Sequence, residues 1–270
     1  MSKKYLLFDV GATQMRLASF TQGSKKFSEP VVLKTPKKFS EGVKLIRAQA
    51  SRLCGKQIAG AAGGIAGVLD KSKGILRHRG NLKDWQNKPL VKNLKKIAKG
   101  PVTIENDTAV VGLGEATAGA GRGHGIVAYI TVSTGVNGAR IVDKKIDPSL
   151  FGFETGKQII DERGHTLEWH IAGGFIKKRF GKTPHQIKDK KFWQQVVGHL
   201  AVGLNNTILH WSPEVVVLGG GVMNEMTLPP IVSELKKVLT VYPKLPLIKR
   251  SELGDFGGLH GAMALIRQQR

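Results

Sequence analysis

The sequence predicts an α/β protein of two lobes, and three observations carry that prediction. Strand-like apolar runs alternate with helical patterns in both halves of the 270 residues, the pattern of helices layered on sheets. Two Gly–Thr loops each follow an apolar run, one within Leu6–Arg16 and the other within Ile130–Arg140, which suggests an internal duplication. A chain of this length is also too long for one minimal domain and suits two cores.

In chain order, Tyr5–Val10 is apolar and bounded by glycine, a buried strand, and Arg16–Phe20 and Val31–Lys34 continue it as a meander. Ser40–Arg52 carries Val43, Leu45, Ile46 and Ala50 at helical spacing, with Ser40 as the N-cap. Gln57–Gly64 returns to strand, Leu90–Ala98 is a short amphipathic helix, and Val102–Glu105 is the next strand. Thr108–Ala118, rich in alanine and free of proline, reads as a helix starting at Asp107. Ile126–Val132 and Gly138–Asp143 form a hairpin around the second loop. Phe192–Trp211 is the longest helical pattern and Pro213 stops it. Val215–Leu218 then runs as a buried strand into Gly219-Gly220-Gly221, and helices follow over Leu228–Val241 and Gly257–Arg267. The expected division is 1–107 for a small N-terminal lobe and 108–270 for a large one, with the final helix free to pack back on the small lobe.

An apolar content of 41% is ordinary for a globular chain. No run of 18 uncharged apolar residues supports a membrane span. The apolar run after Lys3-Lys4 is too short for a signal peptide. The single Cys54 allows neither an internal disulfide framework nor a multi-cysteine zinc site, and it reads as a small buried apolar residue. The expected compartment is the cytoplasm. A net charge of +22 attracts polyanions. The lysines are scattered in pairs, however, without a basic tail or arginine–aromatic interleaving. That disfavours a nucleic-acid partner and favours a lysine-rich solvated surface.

The chemistry concentrates in the two loops and in Asn106-Asp107 between them. Glycine lets the backbone approach an oxyanion, while threonine and free N–H groups supply donors. A neighbouring carboxylate then suggests metal binding or proton abstraction in phosphoryl transfer. Each residue has a plainer reading beside this one. Asp107 also suits the start of the following helix, Asp9 suits a turn before glycine, and Thr13 and Thr134 suit ordinary turns. Glycines 219–221 suit tight strand–helix packing.

These segments together resemble the ROK family of sugar kinases, which share the actin-like (ribonuclease H-like) duplicated fold. Asp9-Val10-Gly11-Ala12-Thr13 is similar to the first phosphate loop, with Ala12 in place of a glycine. Asn81-Leu82 with Trp85 resembles the sugar-binding stretch, Asn106-Asp107 with Gly114-Glu115 the catalytic segment, and Ser133-Thr134-Gly135 the second phosphate loop. Pro213–Val222 resembles the nucleotide-side motif, and Gly254-Asp255 through Ala262 the C-terminal signature. The middle segment departs from the pattern. Glu154-Thr155-Gly156-Lys157 has lysine where the family has histidine, and the zinc-binding cysteines before Leu167-Glu168 are absent.

The resemblance implies Asp107 as general base. It implies Asn81, Asn106, Glu154 and Glu168 as sugar contacts. Asp9, Gly11, Thr13, Thr134, Gly135, Gly219, Gly220 and Gly221 would face nucleotide and phosphate. It further implies Mg²⁺ held by Asp9 through water, ATP as donor, and no zinc. His165 and His170 invite a metal reading by position, but without cysteines a structural or solvent-facing role is favoured. Lys157 stands three residues from Glu154 and is free to pair with it. The reaction implied is glucose to glucose 6-phosphate. Polyphosphate as donor, other hexoses or N-acetylhexosamines as acceptors, and a non-catalytic sugar sensor are the alternatives. Relatives of this kind are commonly homodimers. Repressors of the family add an N-terminal helix-turn-helix, whereas this chain begins on the first core strand.

Overall fold

The structure, a computed structural model, describes residues 2–77 and 82–269. It divides into two compact units. The first comprises Met1–Ala118, Pro148–Gly152 and Asp255–Arg270, and the second Gly119–Asp147 and Phe153–Gly254.

In the first unit, β1 (Lys4–Val10), β2 (Gln14–Thr21) and β3 (Val31–Lys34) form the meander. The helix α1 spans Phe39–Cys54 and is followed by β4 (Ile58–Ile65). A small hairpin of β5 (Leu69–Asp70) and β6 (Ile75–Leu76) leads to α2 (Leu90–Lys95), β7 (Val102–Asn106) and α3 (Asp107–Ala118). The sheet order is β3-β2-β1-β4-β7, antiparallel through the meander and parallel from β1 to β4 to β7. The unit keeps α3, so the division falls after Ala118 and not at the start of that helix. Ser40 does not cap α1. The helix starts one residue earlier, and the Phe39 N–H donates to the Asp84 carboxylate at 2.8 Å.

In the second unit, β8 (Ile126–Val132), β9 (Val136–Val142) and β10 (Lys145–Ile146) form another meander. It continues through α4 (Leu167–Ile171), α5 (Gly173–Phe180), α6 (Lys190–Trp211), β11 (Val215–Gly219), α7 (Leu228–Val238) and β12 (Leu247–Arg250). Its sheet order, β10-β9-β8-β11-β12, repeats the first sheet strand for strand, with the same switch from antiparallel to parallel pairing. The duplication suggested by two similar loops therefore extends to the whole sheet. Helices α4 and α5 and strand β12 are short or weakly periodic, and the amino-acid pattern does not mark them.

Each unit has its own core. In the first, Leu6, Phe8, Leu17, Ile46 and Trp85 are buried together. In the second, Ile130, Leu200, Leu204, Val216 and Ile231 are. The final helix, α8 (Gly257–Gln268), belongs to the first unit and packs on α3, β1 and β4. Glycine makes that approach possible. A Cβ at Gly261 would lie 1.8 Å from the Val110 carbonyl oxygen, and one at Gly114 would lie 2.3 Å from that of Gly257. Among the described residues no helix is long and apolar enough to cross a membrane.

Candidate active site

The first unit gathers Asp9, Gly11, Thr13, Asn106 and Asp107. Asp9 is the penultimate residue of β1, buried, and in register with Arg16 on β2. The strand ends in a tight turn in which Gly11 N–H donates to the Gln14 carbonyl at 2.9 Å. Thr35 braces the turn, its hydroxyl donating to the Gly11 carbonyl at 2.8 Å and its N–H to the Thr13 carbonyl at 2.9 Å. Thr13 itself is exposed. Ala12 does not adopt positive φ, so its methyl group is accommodated where the family has glycine.

Asn106 and Asp107 divide two roles that the sequence left open. Asn106 Oδ1 accepts the N–H groups of Thr108 at 3.0 Å and Ala109 at 3.3 Å, and so caps α3. Its Nδ2 donates to the Gly67 carbonyl at 3.1 Å. Asp107 is the first residue of α3, and its Oδ1 accepts the Thr108 N–H at 2.8 Å. The absence of a side chain at Gly64 admits its backbone, since a Cβ there would lie 2.8 Å from the Asp107 Cα. Desolvation holds the Asp107 carboxyl above the usual carboxylate range, against the pull of the Thr108 hydrogen bonds.

The Asp9 carboxyl is pushed up to about 7, chiefly by burial and then by the charge of Asp107, with Arg16 opposing. Arg16 Nη1 lies 3.8 Å from Asp9 Oδ2, and Nη2 lies 3.5 Å from the exposed Asp255 carboxylate. The N-terminus of α8 adds a favourable dipole, because Gly258 lets the Asp9 carboxyl come within the space a Cβ would fill, 2.6 Å from Cγ. Two carboxyl groups held above the usual carboxylate range, both by desolvation and Asp9 also by the charge of Asp107, suit a hard divalent cation with oxygen ligands. Magnesium bound through water at Asp9 therefore fits this donor set.

Asn81 lies outside the described residues. Leu82 and Trp85, which follow it, are buried in the first unit's core. Trp85 Nε1 donates to the Pro36 carbonyl at 3.1 Å, and the ring meets Phe39 edge-on. They anchor that stretch as packing groups.

The second unit gathers Thr134, Gly135, Glu168 and the triple glycine. The loop Ser133–Val136 joins β8 to β9 and is tied on several sides. Gly173 N–H donates to the Ser133 carbonyl at 2.8 Å, and Gly174 N–H to the Thr134 carbonyl at 3.0 Å. Glu168 Oε2 accepts the Val136 N–H at 3.1 Å. Thr134 is exposed, with its backbone held. Gly219 ends β11 against β8 and Gly220 follows it, where a Cβ at Gly220 would lie 2.3 Å from the Val132 carbonyl oxygen, next to the loop. Gly220 also has φ of 93°. Gly221 faces open space.

Lys157 pairs with Glu168, not with Glu154. Its Nζ lies 2.5 Å from Glu168 Oε1. The expected i, i+3 pair needed an α-helix, whereas Thr155–Lys157 is a single tight turn with Glu154 in non-helical conformation before it. Glu154 is exposed, and its carbonyl accepts the Lys157 N–H at 2.9 Å.

The segment without cysteines folds around Asp161. Its Oδ2 lies 2.9 Å from His165 Nδ1 and 2.8 Å from His170 Nε2, and its Oδ1 accepts the His165 N–H at 2.9 Å. His165 stacks on Trp169 with ring centroids 3.8 Å apart, and His170 stacks on His199 at the same distance. Burial lowers the His170 ring below its ordinary value, with Asp161 opposing. Among the described residues this is a group whose ligand atoms lie within 4.8 Å of one another. Sequence spacing marked the two histidines but gave no sign of Asp161.

The ROK family profile matches residues 5–269. This chain belongs to the ROK family. It is 28% identical to an N-acetyl-D-glucosamine kinase of Histophilus somni over 303 residues, covering 97% of this chain and 98% of that protein. A ROK hexokinase from Thermus thermophilus has the same architecture, with a TM-score of 0.81 at 24% identity, over 99% of this chain and 100% of that one. An inorganic polyphosphate/ATP-glucomannokinase from an Arthrobacter strain superposes with a TM-score of 0.72 at 25% identity, over 99% and 100% of the two chains. The duplicated sheets are thus those of the actin-like sugar kinases.

Proposed function

We propose that this ROK chain is a phosphotransferase with an alcohol acceptor, which moves the γ-phosphoryl group of ATP to the 6-hydroxyl of a hexose, glucose first. The observation that carries the reading is the Asp9–Asp107 arrangement. One carboxyl sits at the end of a buried strand and the other at the first residue of a helix, and both have raised proton affinity. A general base works best when its pKa approaches the operating pH, and the Asp107 carboxyl is shifted in that direction.

In the reaction, the sugar hydroxyl donates its proton to Asp107 as its oxygen attacks the γ-phosphorus and the bond to the β-phosphate oxygen breaks. Magnesium, held by Asp9 through water, would neutralise the developing charge on the phosphate oxygens. Arg16 holds Asp9 in place through their ion pair. Asn106 fixes the first turn of α3 and so fixes where the base stands. Thr13 and Thr134 donate to phosphate oxygens from braced loops, and Gly220 and Gly221 leave backbone open to the nucleotide, whereas Gly219 is buried against Tyr129 and Ser251. Asn81, Glu154 and Glu168 would read the sugar hydroxyls.

Polyphosphate is the second donor reading. It is supported by the net charge of +22 and by similarity to a kinase whose name includes both donors. Glucose is favoured over N-acetylhexosamines by the hexokinase and glucomannokinase likenesses, and the likeness to an N-acetylglucosamine kinase keeps the amino sugars in the panel. The kinase is expected to act as a soluble cytoplasmic homodimer.

The test is phosphate transfer from ATP and from polyphosphate to glucose, mannose, fructose and N-acetylglucosamine across a salt series. Glucose turnover with ATP supports the leading reading. Polyphosphate turnover that falls steeply with salt supports the second donor. Silence with every acceptor sinks the kinase reading.

A further inference from the structure

The turn at 161–165 and helix α4 bring three ligand-type side chains to one point. Asp161 Oδ2 lies 2.9 Å from His165 Nδ1 and 2.8 Å from His170 Nε2, and the three atoms all lie within 4.8 Å of one another. Two imidazole nitrogens thus converge on a single carboxylate oxygen. In a tetrahedral site with bonds of about 2.0–2.2 Å, neighbouring ligand atoms stand about 3.3–3.5 Å apart, so shifts on the order of an ångström would admit an ion.

Hydrogen bonds alone would satisfy Asp161, but the supports around the group go further. Asp161 Oδ1 accepts the N–H groups of Arg163 at 3.0 Å and His165 at 2.9 Å, which orients the carboxylate and leaves Oδ2 to the rings. The His165 ring stacks on Trp169 and the His170 ring on His199, each with centroids 3.8 Å apart. Arg179 lies 4.0 Å from the Trp169 ring and donates to the His170 carbonyl at 3.1 Å. Rings braced in this way keep their nitrogens aimed at one place, the preorganisation that a metal site needs. The His165 and Asp161 side chains are 28% and 27% exposed, so an ion in solvent can reach the group.

The donor set selects the ion. Imidazole nitrogen suits zinc, nickel and copper. One carboxylate beside the Arg179 guanidinium leaves no excess of negative charge for calcium or magnesium, which prefer oxygen ligands. The resemblance implied no zinc because the cysteines are missing, and one oxygen with two nitrogens is a different set of ligands.

We propose that Asp161, His165 and His170 form a binding site for a divalent transition-metal ion, zinc in the first place. Each imidazole gives the ion a lone pair, and the proton on that nitrogen moves to the other ring nitrogen or leaves to water. Asp161 Oδ2 is the third ligand, and water completes the coordination. Asp161 and His170 flank Leu167-Glu168, so the ion clips the 161–170 segment to itself and steadies α4. Glu168 keeps its sugar contact, and the site does not depend on the kinase reading.

The test uses the full chain, free of any affinity tag and stripped of metal by a chelator. Calorimetric titration with Zn²⁺ should show one ion per chain. Thermal unfolding should move up by about 5 °C once free Zn²⁺ exceeds its Kd a hundredfold. Asp161→Asn and His165→Gln should each weaken binding about tenfold or more, while His185→Gln, outside the group, should leave it within about twofold. Co²⁺ locates the site without any substitution: it should broaden the ring proton signals of His165 and His170 before those of His124 and His185. No saturable binding below about 1 mM Zn²⁺ overturns the proposal. So does binding that survives both substitutions, or Co²⁺ broadening centred on other histidines, either of which means an adventitious ion only. If the variants lose their fold, the Co²⁺ measurement on the wild type decides alone.

Discussion

The two units share one sheet topology and differ in where they keep their charge. The first places two carboxyl groups, Asp9 and Asp107, where desolvation raises both. The second neutralises its carboxylates locally: Glu168 on Lys157 and Val136, and Asp161 on two histidine rings and two backbone N–H groups. Against desolvation, hydrogen bonds from the His165 N–H and from the two rings hold Asp161 below the usual carboxylate range. The duplicated scaffold thus carries a strained carboxyl pair in its first unit and two satisfied carboxylates, Glu168 and Asp161, in its second. Strain of this kind is retained where chemistry needs a proton acceptor near neutral pH, and it costs stability.

The largest effect should come from the strained pair. Asp107→Asn is expected to lower turnover by about a hundredfold to ten-thousandfold with an unchanged circular dichroism spectrum. Retained turnover would move the base elsewhere and remove the reason for the asymmetry.

The pH dependence of stability is the next sharpest contrast. In the unfolded chain Asp9 releases its proton near its ordinary value of 3.8, whereas in the metal-free folded protein it holds the proton to about 7. The folded state binds more protons in between, so this group makes stability fall as pH rises from about 4 to 7, by on the order of a few kcal/mol. Asp107 contributes with the same sign. Urea unfolding without magnesium should show that fall, and Asp9→Asn should be more stable than wild type at pH 8. A wild type that gains stability from pH 5 to 7, with no benefit from the substitution, would contradict the assignment of strain to these carboxyls.

Packing gives a smaller contrast. Gly261→Ala would drive a methyl group into the Val110 carbonyl across α3 and α8, and it should cost about 1–3 kcal/mol. Gly198→Ala, in the middle of α6 with nothing within 4 Å, should gain about 0.5–1 kcal/mol. Chemical denaturation of the two variants tests both signs at once.

The smallest effect should lie with the satisfied carboxylates. Asp161→Asn removes the charge that raises the His170 ring, so that ring should titrate at lower pH by proton NMR, leaving Asp107-dependent turnover intact. A His170 titration that does not move would show that the Asp161 contact carries no charge interaction.

Much of this was legible in the amino acids, and the exceptions share a cause. Strands β1 and β11 announce themselves as apolar runs that end at glycine, and β8 as one that runs into Ser-Thr-Gly, because strands buried on both faces need no polar face. The start of α3 at Asp107 follows from Asn-Asp before an alanine-rich segment. Which of those two residues caps the helix was not legible, since both types can, and only the backbone geometry gave the cap to Asn106. The partner of Lys157 is not legible in the sequence, because an i, i+3 spacing means spatial proximity of side chains only inside a helix, and residues 154–157 are not one.

The alternation of strands and helices, the two loops, and the order of the residues that resemble a sugar kinase are all readable from the amino acids alone. These are local properties, set by hydrophobic period, turn chemistry and residue type. Which charges meet depends on packing. It brought Arg16 and Gly258 to Asp9, Lys157 and Val136 to Glu168, and His165 and His170 to Asp161. The physical reason is that the proton affinity and hydrogen bonding of a side chain depend on desolvation and on neighbours within a few ångströms, most of which packing brings in from other elements.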